Sequence, residues 1–206
     1  MLWLCSIVLG YLLGSISPAY LLTWLVKKKD IRTLGTGNPG AANVYREVGK
    51  AFGILVWLID TAKGCLAMMI AKAWSFHTNL FPPQNLQLLF LTLVGSAAVL
   101  GHSYSIFLRF RGGKGIATAG GVVLYLLPKV FLVVIVLYFL AQRLGPRSGR
   151  VVSICVATFF LYLYGLYGGS ATGYICFSTL PLLFTLSLIN RQAIASLFSR
   201  RERRLT

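Results

Sequence analysis

The sequence predicts an all-α polytopic membrane protein with about seven transmembrane helices, its N-terminus outside and its C-terminus cytoplasmic. Three observations carry this. Of 206 residues, 57% are hydrophobic and only 12% charged, whereas a soluble domain is about a quarter charged; the mean hydropathy is +0.76. The apolar residues form runs near the ~20 residues that cross a bilayer as a helix. The basic residues gather in some of the intervening loops and are missing from others.

The first run is Leu2–Val26, and the basic cluster Lys27-Lys28-Lys29 follows it. That order predicts a first helix that is retained rather than cleaved, with its N-terminal end outside. The second run, 51–76, is interrupted by Asp60, Lys63 and Lys72; the third, 86–108, carries His102 near its end. Residues 116–141 follow, broken by Pro128-Lys129. The last two runs, 151–166 and 174–189, flank a glycine-rich turn. Residues 27–50, 109–114, 143–150 and 191–204 hold 17 of the 20 Lys and Arg, and loops 77–85 and 165–173 hold none. By the positive-inside rule the four basic segments are cytoplasmic. Segment 116–141 must then cross an even number of times, which predicts a hairpin turning at Leu127-Pro128-Lys129, because proline breaks helices. The chain reads as one membrane domain over 1–206, with a basic cytoplasmic tail at 190–206.

The net charge of +16 would suggest nucleic acid in a soluble protein. Here the charges lie between membrane runs, so they read as a cationic face for anionic headgroups and phosphorylated ligands, with no nucleic-acid partner. The cysteines Cys5, Cys65, Cys155 and Cys176 lie inside apolar stretches without CxxC spacing and read as small core residues.

Three segments carry possible chemistry. In 30–46, Gly35, Gly37 and Gly40 permit close backbone approach, and successive amides can form an anion nest. Thr36, Asn38 and Asn43 add neutral donors, and Arg46 adds a fork suited to phosphate. A tight turn with capping residues is the plainer reading of the same pattern. In 101–118, Gly112-Gly113-Lys114-Gly115 opens an apolar helix, where free amides and a lysine make an anion site. The Walker A spacing is absent. Arg109 and Arg111 read as topology-setting charges. Third, Asp60 and Lys63 lie at i and i+3 inside a span, where ionisable groups are costly and face a bundle interior. They read either as an ion pair that anchors packing or as a cation reaching a ligand phosphate. His102 fits a general base or a hydrogen-bonded core residue.

The sequence holds no HExxH motif and no clustered zinc-ligand set, so neither metal nor cofactor is expected. Position 107, five after His102, is Phe, so the His-x4-Asp pattern of acyl-CoA-using acyltransferases is missing. Any chemistry must rest on positioning and cationic stabilisation.

These segments resemble the PlsY family of bacterial acyl-phosphate:glycerol-3-phosphate acyltransferases. Gly14-Ser15-Ile16-Ser17-Pro18 resembles its GSIP start, 30–46 its D-x-R…GSGNxGATNxxR motif, 60–64 its DxxKG and 101–118 its GH…FxxFxGGKGxAT. Thr36 stands where the family has serine, and Ala42 where it has threonine. Arg147 to Ser153 only partly meets its R-x-x-S-x-x-S. At its RHRxNI motif, Asn190 and Ala193 replace the histidine and asparagine, while Arg191 and Ile194 match.

The resemblance implies a monomeric multi-pass enzyme of the bacterial inner membrane. It would move an acyl group from acyl phosphate to the 1-hydroxyl of glycerol-3-phosphate, in contact with membrane lipids. Thr36, Arg46 and Lys114 would be catalytic. Gly35, Gly37, Asn38, Asn43, Lys63, His102, Ser105, Gly112, Gly113, Gly115, Ser153 and Arg191 would bind substrate. No strong protein base is evident, which leaves a substrate phosphate to take the hydroxyl proton. Two alternatives stay open: a paralogue with another acceptor, and a non-enzymatic protein that binds or moves a phosphorylated or lipid ligand.

Overall fold

The computed structural model describes residues 2–77, 84–143 and 172–191. All regular structure among them is helical: α1 (Leu2–Ser15), α2 (Pro18–Lys27), α3 (Ala41–Glu47), α4 (Lys50–His77), α5 (Gln84–Ser103), α6 (Ile116–Leu126), α7 (Pro128–Gln142) and α8 (Thr172–Ile189). Short 3-10 turns lie at Ile31–Thr33 and Ile106–Leu108. The expected span 151–166, the turn 165–173, Ser153 and the tail beyond 191 lie mostly or wholly outside the described residues.

Among the described residues, three stretches are long and apolar enough to cross a membrane: Trp3–Lys27, Lys50–Phe76 and Leu86–Leu108. Their surfaces are apolar too; Leu4, Leu25 and Ile54 are exposed, as suits helices solvated by lipid. Cys5 is also exposed, so it belongs to that outer surface and not, as its sequence context suggested, to the core.

The first run is two helices, not one. Ser17 caps α2 by accepting the amide of Tyr20, and Pro18 occupies the first helical position, where its missing N–H costs nothing. The same pair breaks the α1 ladder and leaves the Ile16 carbonyl free for another partner. The third run also ends earlier as a helix than its apolarity suggested: α5 stops at Ser103, and the chain turns through Ile106–Leu108.

Helices α1 and α5 meet through glycine. A side chain at Gly10, Gly14 or Gly101 would collide with the backbone of Val94, Ala98 or Tyr11 respectively. Gly64 and Gly121 do the same between α4 and α6, against Thr118 and Thr61. Small residues at these crossings let backbones approach, which in lipid replaces the missing hydrophobic drive for helix association. A buried cluster including Met68, Phe90, Val94, Val99 and Val122 fills the centre of the bundle.

At Leu127 the backbone leaves helical geometry (φ −140°, ψ 72°), and Pro128 starts α7. The chain then folds back: Phe131 of α7 lies beside Gly120 of α6, and Phe139 reaches the Trp57 ring on α4 at 6.3 Å. This is the reversal expected at Leu127-Pro128-Lys129.

Candidate active site

The first loop is organised by its own side chains. Asn43, buried at the start of α3, accepts the Thr36 amide (3.1 Å) and donates to the carbonyls of Leu34 (2.9 Å) and Ile31 (3.3 Å). Gly35 and Gly37 have positive φ (52° and 69°), and a side chain at Gly35 would strike Asn43 and Glu47. Asp30 caps the Ile31–Thr33 turn and pairs with the Arg32 guanidinium at 2.6 Å. That hydrogen-bonded guanidinium holds the Asp30 carboxyl below the usual carboxylate range. Arg32 also donates to the Leu108 carbonyl at 2.9 Å and lies over the Tyr20 ring. One side chain thus joins α2, the first loop and the second loop.

The second loop is organised by buried groups from other elements. Asp60 is 1% exposed; Lys63 Nζ lies 2.8 Å from its Oδ1, and His102 Nδ1 lies 3.3 Å from the same oxygen. Lys63 also donates to the Ile16 carbonyl at 2.9 Å, the acceptor released by the α1–α2 break. Carbonyls at the end of α5 receive the glycine amides: Gly113 donates to His102 and Gly112 to Ser103, each at 3.0 Å. Gly113 also packs directly against the His102 ring, leaving no room for a side chain. Ser105 donates to the Ser15 carbonyl at 2.6 Å. Arg109 and Phe110, with φ of 54° and 60°, occupy the left-handed region that bulky residues avoid; this turn carries the chain back to Gly112. Gly115, at φ 75°, ends the loop where α6 begins.

Between the two loops, α4, α6 and α7 enclose a cavity of about 380 Å³. One part of its wall is polar: Thr36, Asn38, Asn43, Arg46, Asp60, His102 and Lys114. The rest is apolar, from Trp57, Val123, Phe131, Val134, Ile135 and Leu186, with Tyr138 beside them. The cavity is therefore amphipathic, lined by cationic and amide-bearing side chains together with apolar ones.

Of the residues expected to act, Thr36, Asn38, Asn43, Arg46, His102, Lys114 and Gly115 come together on this wall. Gly35, Gly37, Gly112 and Gly113 shape the loops behind it. Lys63 and Ser105 are buried and bound to backbone carbonyls from the α1–α2 break, so they brace the bundle instead of lining the cavity. Arg191 is exposed at the end of α8. Among the described residues no three of His, Cys, Asp and Glu converge to hold a metal. The apolar wall was not anticipated: Trp57, Phe131 and Tyr138 carry no motif, and Phe131 and Tyr138 sit in a helix that is almost wholly apolar.

Fold and cavity define an integral membrane protein with a cavity lined by both cationic and apolar side chains. The glycerol-3-phosphate acyltransferase family profile matches residues 4–200. A glycerol-3-phosphate acyltransferase of Pseudomonas paraeruginosa is 36% identical over 206 residues, covering 98% of this chain and 99% of its own. A second, from Dehalococcoides mccartyi, is 39% identical over 173 residues, covering 81% and 79%. Two crystal structures of PlsY, an integral membrane glycerol 3-phosphate acyltransferase, superpose over 97% of this chain and 93% of theirs. The glycerol 3-phosphate form has a TM-score of 0.75 at 32% identity, and the lysophosphatidic acid form 0.74 at 31%. The chain belongs to the glycerol-3-phosphate acyltransferase family.

Proposed function

We infer that this protein is a membrane acyltransferase of phospholipid synthesis. It moves a fatty acyl group from acyl phosphate to the 1-hydroxyl of glycerol-3-phosphate and releases lysophosphatidic acid and inorganic phosphate. The observation that carries this is the amphipathic cavity, whose polar and apolar linings suit the phosphate and the chain of an acyl phosphate. Cationic and amide-rich walls suit the phosphate, and the α4, α6 and α7 wall suits the chain. Family membership supports the same reaction.

In this reading Arg46 and Lys114 hold the phosphoryl groups, and Thr36 with the first-loop amides orients the donor. The acceptor hydroxyl attacks the acyl carbon. A carbon–oxygen bond forms to glycerol, and the bond from that carbon to the phosphate oxygen breaks. Cations placed before the reaction stabilise the charge that develops on the leaving phosphate. His102, packed against Gly113 and facing Asp60, supports the loop, and a substrate phosphate takes the hydroxyl proton. A pH–rate profile of H102A that keeps the wild-type shape supports this assignment; loss of the acid limb, with a large fall in kcat, overturns it.

The membrane arrangement completes the proposal: seven crossings in a single domain, N-terminus outside, active-site loops and the 190–206 tail cytoplasmic, in a bacterial inner membrane, as a monomer. The concentration of Lys and Arg in alternate loops and the fold-back at Pro128 support it. The test of function is phosphate release from palmitoyl phosphate by the purified protein. Release that requires glycerol-3-phosphate is the expected result. Release with a different acceptor only would favour a paralogue, a reading to which Asn190 and Ala193 at family histidine and asparagine positions lend weight. No release from folded protein would overturn the enzyme assignment.

A further inference from the structure

Asn190 ends α8, 76 positions after Lys114, and is 3% exposed. Its Nδ2 donates to two carbonyls, that of Leu186 at 3.0 Å and that of Lys114 at 3.3 Å. Both neighbours accept only, so the orientation of the amide is fixed: nitrogen toward them, oxygen away. The Oδ1 has no hydrogen-bond partner among the described residues. Beside this contact, a side chain at Gly115 would come within van der Waals reach of Ile189, and Leu186 lies on the cavity wall.

We propose that Asn190 is a positioning residue, which pins the Lys114 backbone to the end of α8 and so sets where the Lys114 side chain meets the acceptor phosphate. The assignment rests on the reading of Lys114 as a phosphate-binding cation. The Gly112 and Gly113 amides tie the segment 112–115 to α5, and the Gly115 carbonyl accepts the Ala119 amide of α6. Three glycines in four residues give it little stiffness of its own. The Asn190 bond adds a tie from the end of α8 and limits the freedom that those glycines leave. The geometry also ranks substitutes. Aspartate would set a carboxylate against two carbonyls. Serine keeps one donor and reaches one carbonyl. Alanine keeps none.

Two measurements test this on the full-length protein in detergent or nanodiscs. Hydrogen exchange at the amides of 112–116 in ligand-free protein tests the pinning itself. N190A should speed exchange there about tenfold, the scale of one hydrogen bond, with α1 and α4 amides unchanged; unaltered exchange overturns the proposal. N190S should fall between N190A and the wild type, and serves if N190A does not fold. Calorimetric binding of glycerol-3-phosphate tests the consequence. N190A should weaken it about tenfold in wild type and add nothing in a K114A background, because the effect runs through Lys114. An equal loss in both backgrounds would mean that Asn190 acts elsewhere, and would overturn it. If the wild type itself binds no glycerol-3-phosphate, the acceptor assignment fails while the exchange result still decides the pinning.

Discussion

The two loops that meet at the cavity are built on opposite principles. The first, between α2 and α4, is held mainly by residues within itself: Asn43 bridges three backbone groups, and Asp30 pairs with Arg32 two residues away. The second, between α5 and α6, is held by what surrounds it. His102 and Ser103 carbonyls, the buried Asp60–Lys63 pair, Ser15 and Asn190 come from four separate helices or their ends. A self-held loop can be damaged without cost to the bundle. A loop held by the bundle cannot.

That contrast makes its own predictions. The largest effect should come from the cations the two loops bring together. K114A and R46A should each lower kcat by about 10² to 10³-fold, the cost of losing one preorganised charge, with melting temperature nearly unchanged. Near-normal turnover in a phosphate-release assay would remove either residue from the site. Next is D60A. It leaves Lys63 buried and unpaired and should cost about 3–5 kcal/mol of stability, read as a lower melting temperature together with faster hydrogen exchange at Gly112 and Gly113. N43A should do the reverse. It should lose most activity through a disordered first loop, while stability falls by only about 1–3 kcal/mol. If N43A and D60A melted alike, the distinction between the loops would fail.

The smallest effect belongs to the strap between them. R32K keeps a charge but loses the fork on Asp30 and the bond to Leu108. It should reduce kcat/KM a few-fold with little change in melting, since the pair is about a quarter exposed. The pair also has a pH signature. Asp30 has a depressed carboxyl in the fold, so its stabilisation is present above the ordinary aspartate pKa near 3.8 and is lost as pH falls through the lower folded value. D30N should flatten that acid limb of the stability curve, measured at low salt; an unchanged limb would show that the strap contributes nothing.

The sequence made some of this legible and hid the rest for physical reasons. The helical runs, the reversal at Pro128 and the intramembrane Asp60–Lys63 pair could be read because proline and buried charge are scarce inside apolar segments. The break at Ser17-Pro18 was written in the capping residues, yet the run around it is long enough to pass for one span. Asn43 was read as a ligand donor; its carboxamide reaches the cavity wall but is engaged with loop backbone. Ser105, which the resemblance implied binds substrate, and Lys63, read as a packing ion pair or a phosphate ligand, donate to carbonyls at the α1–α2 break. The apolar wall left no trace, since Val134 or Phe131 differs in no way from lipid-facing neighbours until the fold decides which face turns inward.

The two arms α6 and α7, with 11 and 15 residues, are only about 16 and 22 Å long at 1.5 Å per residue. A hydrocarbon core is about 30 Å thick. In the proposed seven-crossing arrangement the protein on that flank is shorter than the bilayer it displaces, and lipid would thin or let headgroups sag to meet it. The depression would form beside the cavity wall. A lipid-borne phosphate drifting in the leaflet would then reach Lys114 by sliding downhill along a dimple in the surface, without leaving the company of its own headgroups.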